Sequence, residues 1–430
     1  MHSRVGANTA SGGSPQAVSM TYTIPAGDGA KHPQRAGKTG ADKQPVLAVR
    51  VRADSPAALL AIIPHLLGFA PESSLVIIGT EAPRGTVRVT LRYDLPDPPE
   101  RELAAEIADH AAAVLAAQRL GAATVVGYGP RELVRPLAAV IGGALSLAGI
   151  AVSATLRVQG GRYWSDAGGE EAGGPDQGVP FDETGHPASV ALTAAGQPVL
   201  AGRGAIVAGL APVGGIAAES MRQATRLAER HVSQILAKVT KSTRVGAARH
   251  LIAAQGLAAV SSLIGIYRAG GQYSTDYQLA WLSVTLKDLR VRDDAWARMD
   301  PQDRGAHLRL WTDVVRRAQP GYVAGPASLL AFVAWQDGNG ALANIALDRA
   351  LADVSGYSMA ILLRQVIAAG TPPAMARLPL TPAEVAACYD DLDKDDLCDE
   401  DADAGFCKDG GAAAEAADRH RGDQEARLGE

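Results

Sequence analysis

The sequence predicts a layered α/β domain with a mixed sheet, followed by an all-α domain. Three observations carry this. Residues 46–200 run strand, helix, strand, strand, helix, strand, helix, strand, read from apolar periods of two and of three to four. From residue 201 to 375 every apolar pattern has helical spacing, with Gly and Pro breaks at intervals of about 30 residues. The chain has 430 residues, which suits two or three domains.

Residues 1–45 read as a disordered leader without an apolar run, so no secretory signal is expected, and Met20 is an alternative start. Leu47, Val49 and Val51 alternate with Ala48, Arg50 and Arg52 in a half-buried strand. Ser55-Pro56 opens a helix as N-cap and first residue, Gly68 closes it, and Pro64 predicts a kink or two short turns. Residues 74–79 form an apolar strand. In the strand at 86–95, Val87, Val89, Leu91 and Tyr93 face one way and Arg88, Thr90, Arg92 and Asp94 the other.

A helix at 100–120 places Leu103, Ile107, Val114 and Leu115 on one face. A strand at 124–129 ends in a Gly-rich turn, a helix starts at Pro130, and a strand follows at 152–158. Residues 165–187 read as a loop. Helices are expected at 215–240, 245–268, 275–290, 302–318, 326–336, 341–352 and 357–369, and residues 376–430 as an acidic disordered tail.

Apolar residues are 47% and aromatics 4%, so the core must be built of Ala, Val, Leu and Ile. The 33 Arg against 8 Lys, with abundant Ala, reflect a GC-rich genome rather than a function. The net charge of −5 argues against a dedicated polyanion binder. It averages residues 388–430, with 15 acids against 5 bases, and a body of net charge +5. Three cysteines exclude a disulfide scaffold and suit a reducing compartment, so a cytoplasmic location is expected. The uncharged stretch between Arg135 and Arg157 is diluted by Gly and Ser and reads as helix plus strand, with no membrane span.

Several motifs imitate ligand sites. Gly37-Lys38-Thr39 lacks the first Gly and the strand of a phosphate-binding loop. Gly127-Tyr128-Gly129-Pro130 lacks a third Gly and reads as a tight strand-to-helix turn. His110 reads as a hydrogen-bonded boundary histidine, and His65 and His307 as histidines near core residues. Cys388, Cys398 and Cys407 lack zinc spacing. Asp391, Asp393 and Asp395 open a calcium-loop pattern that fails at Asp396 and Ala402. No metal, cofactor or catalytic residue is assigned.

The ligand-pocket candidates are Arg92 and Asp94 on one strand face, Tyr128 at the Gly-rich turn, and Arg162, Tyr163 and Trp164 at another strand end. In the helical half, Gly338, Asn339, Ala343, Leu347, Ala350 and Ser355 resemble a tetratricopeptide second helix and its exit turn, with Ser355 in place of Pro. Trp335, Gln336, Asp337 and Asn344 would then lie at or beneath a partner surface.

The opening VRVRADSPAALLAIIPHLLGFAPESSLVIIG, with TVRVTLRYDLP after it, resembles an uncharacterised actinobacterial family, domain of unknown function 4192. The blocks GGRYW, DLRVRDDAW, HLRLWTDVVRRA and AWQDGNGALANIALDRAL extend the resemblance over about residues 46–375. It implies no activity. It does imply a Cys-containing segment after GGRYW, where this chain has SDAGGEEAGGPDQG.

The expected function is a binding or regulatory module that holds an unknown protein partner through its helical half. The alternatives are an enzyme or small-molecule sensor in the α/β half, and weak nucleic-acid binding through Arg290, Arg292, Arg316 and Arg317.

Overall fold

The computed structural model describes residues 20–24, 49–81, 85–165, 177–197, 199–240, 245–375 and 381–399. The Gly37-Lys38-Thr39 motif, Cys407 and most of the segment after GGRYW lie outside them. The chain divides into two compact units, Met1–Pro379 and Leu380–Glu430.

The larger unit opens with a mixed sheet of β1 (Met20–Ile24), β2 (Val49–Ala53), β3 (Ser74–Glu81), β4 (Thr86–Asp94), β5 (Ala122–Tyr128), β6 (Ala151–Gln159), β7 (Arg162–Ser165) and β8 (Val179–Pro180). Their spatial order is β2-β1-β4-β3-β5-β6-β7-β8. Four helices accompany them: α1 (Pro56–Leu67), α2 (Arg101–Ala117), α3 (Arg131–Leu147) and α4 (Pro187–Ala194).

β1 corrects the expectation of a wholly disordered leader. It pairs antiparallel with β2 and meets β4 in parallel at Thr21 and Thr86. MTYTI is β-branched and aromatic enough for a strand, but it is short and set among Gly- and Pro-rich sequence. β8 and α4 likewise fall at or beyond a stretch read as loop.

The two sheet faces bury separate cores. Leu75, Ile77 and Val125 pack with Ala111 and Leu115 of α2 and Ile141 and Leu145 of α3. Val76, Ile78, Val126 and Leu156 pack with Leu60 and Ile63 of α1 and Leu192 of α4. Full burial of each such aliphatic side chain is worth about 1.5–3 kcal/mol.

Two expectations are corrected here, the facing of Val87 and the burial of Leu103. The β3–β4 register slips between Gly79 and Thr80, whose partners are Val89 and Val87, so Arg88 is an extra residue. This bulge sends Val87 to the α1 face, while Val89, Leu91 and Tyr93 keep to the α2–α3 face. α1 is one helix with Pro64 inside it, not two short turns, and Pro64 lies in its last turn, where it withholds a single backbone donor. Leu103 is 38% exposed, because α2 turns the Ala104, Ile107, Ala108 and Ala111 stripe inward and the small residues let it approach the sheet closely.

The helical half comprises α5 (Arg203–Gly209), α6 (Gly215–Thr240), α7 (Val245–Arg268), α8 (Asp276–Thr285), α9 (Leu289–Ala297), α10 (Arg304–Arg317), α11 (Ala324–Gln336), α12 (Gly340–Asp353) and α13 (Ser358–Ala368). The single helix expected at 275–290 is two, because Asp288 caps α9 by accepting from Arg290 N at 2.9 Å. α11 and α12 form a hairpin. Gly338 takes φ +81° at the turn, the Asn339 side chain caps α12, and Ala343, Ala346 and Ala350 are fully buried. Phe69, from the sheet half, is a member of the helical core.

Among the described residues one segment, Ala248–Arg268, is long and apolar enough by length and composition to cross a bilayer, and its Val260, Leu263, Ile264 and Tyr267 are buried in the helical core. In the smaller unit, α14 (Pro382–Asp399) corrects the expectation of a tail disordered from 376. Its start is a capping box, with Thr381 N donating to Glu384 Oε2 and Glu384 N to Thr381 Oγ1. Asp391, Asp393 and Asp395 are therefore on a helix, not in a calcium-binding loop.

Candidate functional site

β5 and β6 run parallel, joined through α3, and β3 runs antiparallel to β5. Beyond the carboxyl ends of such parallel strands an open α/β sheet leaves a crevice. Here it is a cavity of about 530 Å³, lined by Pro71–Ser73, Tyr128, Gly129, the β6–β7 turn and residues 181–184.

Each wall has a local cause. Gly127 lets β5 pass close to α3, where a β-carbon would collide with Val134. That is the tight strand-to-helix turn the sequence predicts. The β6–β7 turn is two residues, Gly160 and Gly161, with φ +57° and +70°. This is the left-handed pair a two-residue hairpin demands. The loop after β8 is pinned at both ends. Phe181 N donates to Gly161 O at 3.0 Å, and its ring meets Tyr163 edge-on. Asp182 Oδ1 accepts from Thr184 N, Thr184 Oγ1 and Gly185 N at 2.9–3.1 Å. The Gly185 amide, then the Thr184 hydroxyl, hold the Asp182 carboxyl below its usual pKa.

This loop delivers Glu183. The residue is half-buried, and its Oε1 is buried without a hydrogen-bond partner among the described residues. Burial pushes its carboxyl up. Tyr128, which lines the same cavity, is 6% exposed, and its hydroxyl also lacks a partner among the described residues. Burial, and secondarily the Glu183 charge, push the phenol well above its usual value. Tyr128 is therefore a fixed hydrogen-bond donor, and Glu183 can accept a hydrogen bond or exchange a proton. Among the described residues, no cluster of His, Cys, Asp or Glu could hold a metal ion.

The residues singled out in the sequence are not one group. Asp94 and Tyr128 both pair with Ser74, and Arg92 pairs with Val76, so Arg92, Asp94 and Tyr128 share a sheet face. Tyr163 joins them through Val158. Arg92 and Asp94 nonetheless lie outside the cavity. The Arg92 guanidinium donates to Asp94 Oδ1 at 2.6 Å and sits 5.7 Å from the Phe69 ring.

Arg162 and Trp164 project to the other face, because successive strand residues alternate. Trp164 stacks under Arg157, and Arg162 donates to the Gln177 and Gly178 carbonyls. The expected convergence thus reduces to Tyr128. Glu183 and Ser73 were not found in the sequence; Asp182-Glu183-Thr184-Gly185 does carry a turn signature.

Of the partner-surface candidates, Trp335 lies beneath the surface, 6% exposed and edge-on to Phe332, because α11 is buried along its length. Asp337 and Asn344 are exposed and Gln336 is half-exposed. Arg292 and Arg317 pair with Asp293 and Asp313, which removes charge from the proposed nucleic-acid surface.

A family model matches residues 56–374; its description is Domain of unknown function (DUF4192). No curated protein and no solved structure matches the chain.

Proposed function

The chain belongs to the family Domain of unknown function (DUF4192), and from that premise, which brings no chemistry, we propose that it is a small-molecule-binding protein. The observation that carries this is a pair of buried polar atoms without partners among the described residues, Tyr128 Oη and Glu183 Oε1, on two residues that line one cavity. An unsatisfied buried polar group costs about 1–3 kcal/mol, a cost that a bound molecule offsets. A module acting through a protein partner is the second reading, on the exposed Asp337 and Asn344 of the helical half. A cytoplasmic location is proposed on the low cysteine content.

The test is small-molecule extraction from full-length protein purified from cells that naturally encode it, compared with Thr184→Trp, which fills the exposed rim. A compound enriched by the unaltered chain and lost from the variant supports the reading. Identical extracts from the two overturn it.

A further inference from the structure

The cavity has a sign. Among the described residues its lining includes three acids, Glu72, Asp182 and Glu183, and no Lys, Arg or His. An anionic ligand, a phosphate or carboxylate above all, would meet carboxylates with no compensating cation. The acids alone would make only a negative rim. The second observation is Tyr128, a lining residue more than nine-tenths buried, whose hydroxyl has no partner among the described residues. A site with one fixed donor, one desolvated carboxyl and an outer ring of negative charge complements a molecule that brings positive N–H groups to Glu183 and an acceptor to Tyr128.

A metal ion fits poorly, since no cluster of His, Cys, Asp or Glu among the described residues is arranged to hold one. The volume of about 530 Å³ suits an organic molecule. Ordinary backbone tethers give the loop the rigidity a recognition site needs: Phe181 is tied to the hairpin and Asp182 spends its oxygen on its own turn. That leaves Glu183 as the lining acid with a buried oxygen that has no partner among the described residues.

We propose that the ligand is a small organic cation, an ammonium or guanidinium compound, held by a charge-assisted hydrogen bond to Glu183 and oriented by the Tyr128 hydroxyl. This rests on the small-molecule reading of the same cavity. A cation favours the ionised carboxylate, so affinity falls as the solution is acidified through the Glu183 pKa.

The test is a matched series on the full chain, by calorimetry and thermal shift: putrescine as the dication, 1,4-butanediol as the neutral isostere and succinate as the dianion. The expected result is putrescine binding at least about tenfold tighter than the diol, with no binding of succinate. Glu183→Gln should abolish that preference, and Tyr128→Phe should weaken binding of 4-aminobutan-1-ol, whose hydroxyl accepts from the phenol, more than that of putrescine, which has no acceptor. Equal or tighter binding of the diol or succinate overturns the proposal, as does no response to putrescine up to about 10 mM. If the diol binds and Thr184→Trp blocks it, the cavity remains a ligand site and only the cation assignment fails. If native extracts also show nothing, the underlying reading fails with it.

Discussion

The Tyr93 hydroxyl and His110 Nδ1 lie 2.7 Å apart, and the other nitrogen of that ring lies 2.7 Å from the Ala368 carbonyl. A carbonyl only accepts, so Nε2 carries the proton and Nδ1 accepts from the tyrosine. A strand, a sheet-covering helix and α13 are thereby joined by one imidazole. Tyr93→Phe should cost about 1 kcal/mol and His110→Ala about 2, with the double variant costing less than the sum. Urea unfolding of the four proteins measures this; strict additivity would show that the bonds are independent.

Glycines give a prediction in both directions. A β-carbon at Gly127 would collide with Val134, whereas at Gly142 and Gly143, inside α3, it would meet nothing within 4 Å. Gly127→Ala should destabilise by about 2 kcal/mol and be partly rescued by Val134→Ala. Gly143→Ala should stabilise by about 0.5–1 kcal/mol. Thermal unfolding midpoints moving in opposite directions would bear this out.

His307 is 1% exposed in α10, and both of its ring nitrogens are buried. Burial first, then the nearby Arg268 guanidinium, lower its pKa from 6.5 to about 4. Between those values the unfolded chain binds the proton and the folded chain does not. Its contribution is therefore intact above about pH 6.5 and lost as pH falls toward 4, by at most about 3 kcal/mol. His307→Phe should flatten the stability profile between about pH 4 and 6.5, measured by denaturant midpoints at several pH values. An unchanged slope would show that another group titrates there.

Asp353 accepts from Gly321 N, Val323 N and Ala324 N at 2.6–3.0 Å, capping α11 from the end of α12. Asp353→Ala should cost about 2–3 kcal/mol, since it strips a charged acceptor from three amides at a helix start. Asp353→Asn should recover part of this. Hydrogen exchange at Val323 and Ala324 reports it directly.

Much of the architecture is legible in residue patterns because apolar period survives the codon bias. The helices at 326–336 and 341–352 appear within two residues of their observed bounds. What escapes depends on geometry that period does not encode. The Arg88 bulge reverses Val87 without altering the alternation seen on paper. Asp288 divides a continuous apolar run by capping. The site was half legible: Tyr128 was marked by its Gly-flanked turn, while Glu183 stands in an acidic loop and is distinguished only by being desolvated in the cavity that Tyr128 also lines.

Phe69 leaves the sheet half to complete the core of the helical half. A shuffled descendant carrying the helical half alone would inherit a hole in the shape of one phenyl ring. The two halves are therefore bound to be duplicated, transferred or lost together unless a new residue first learns to fill that space.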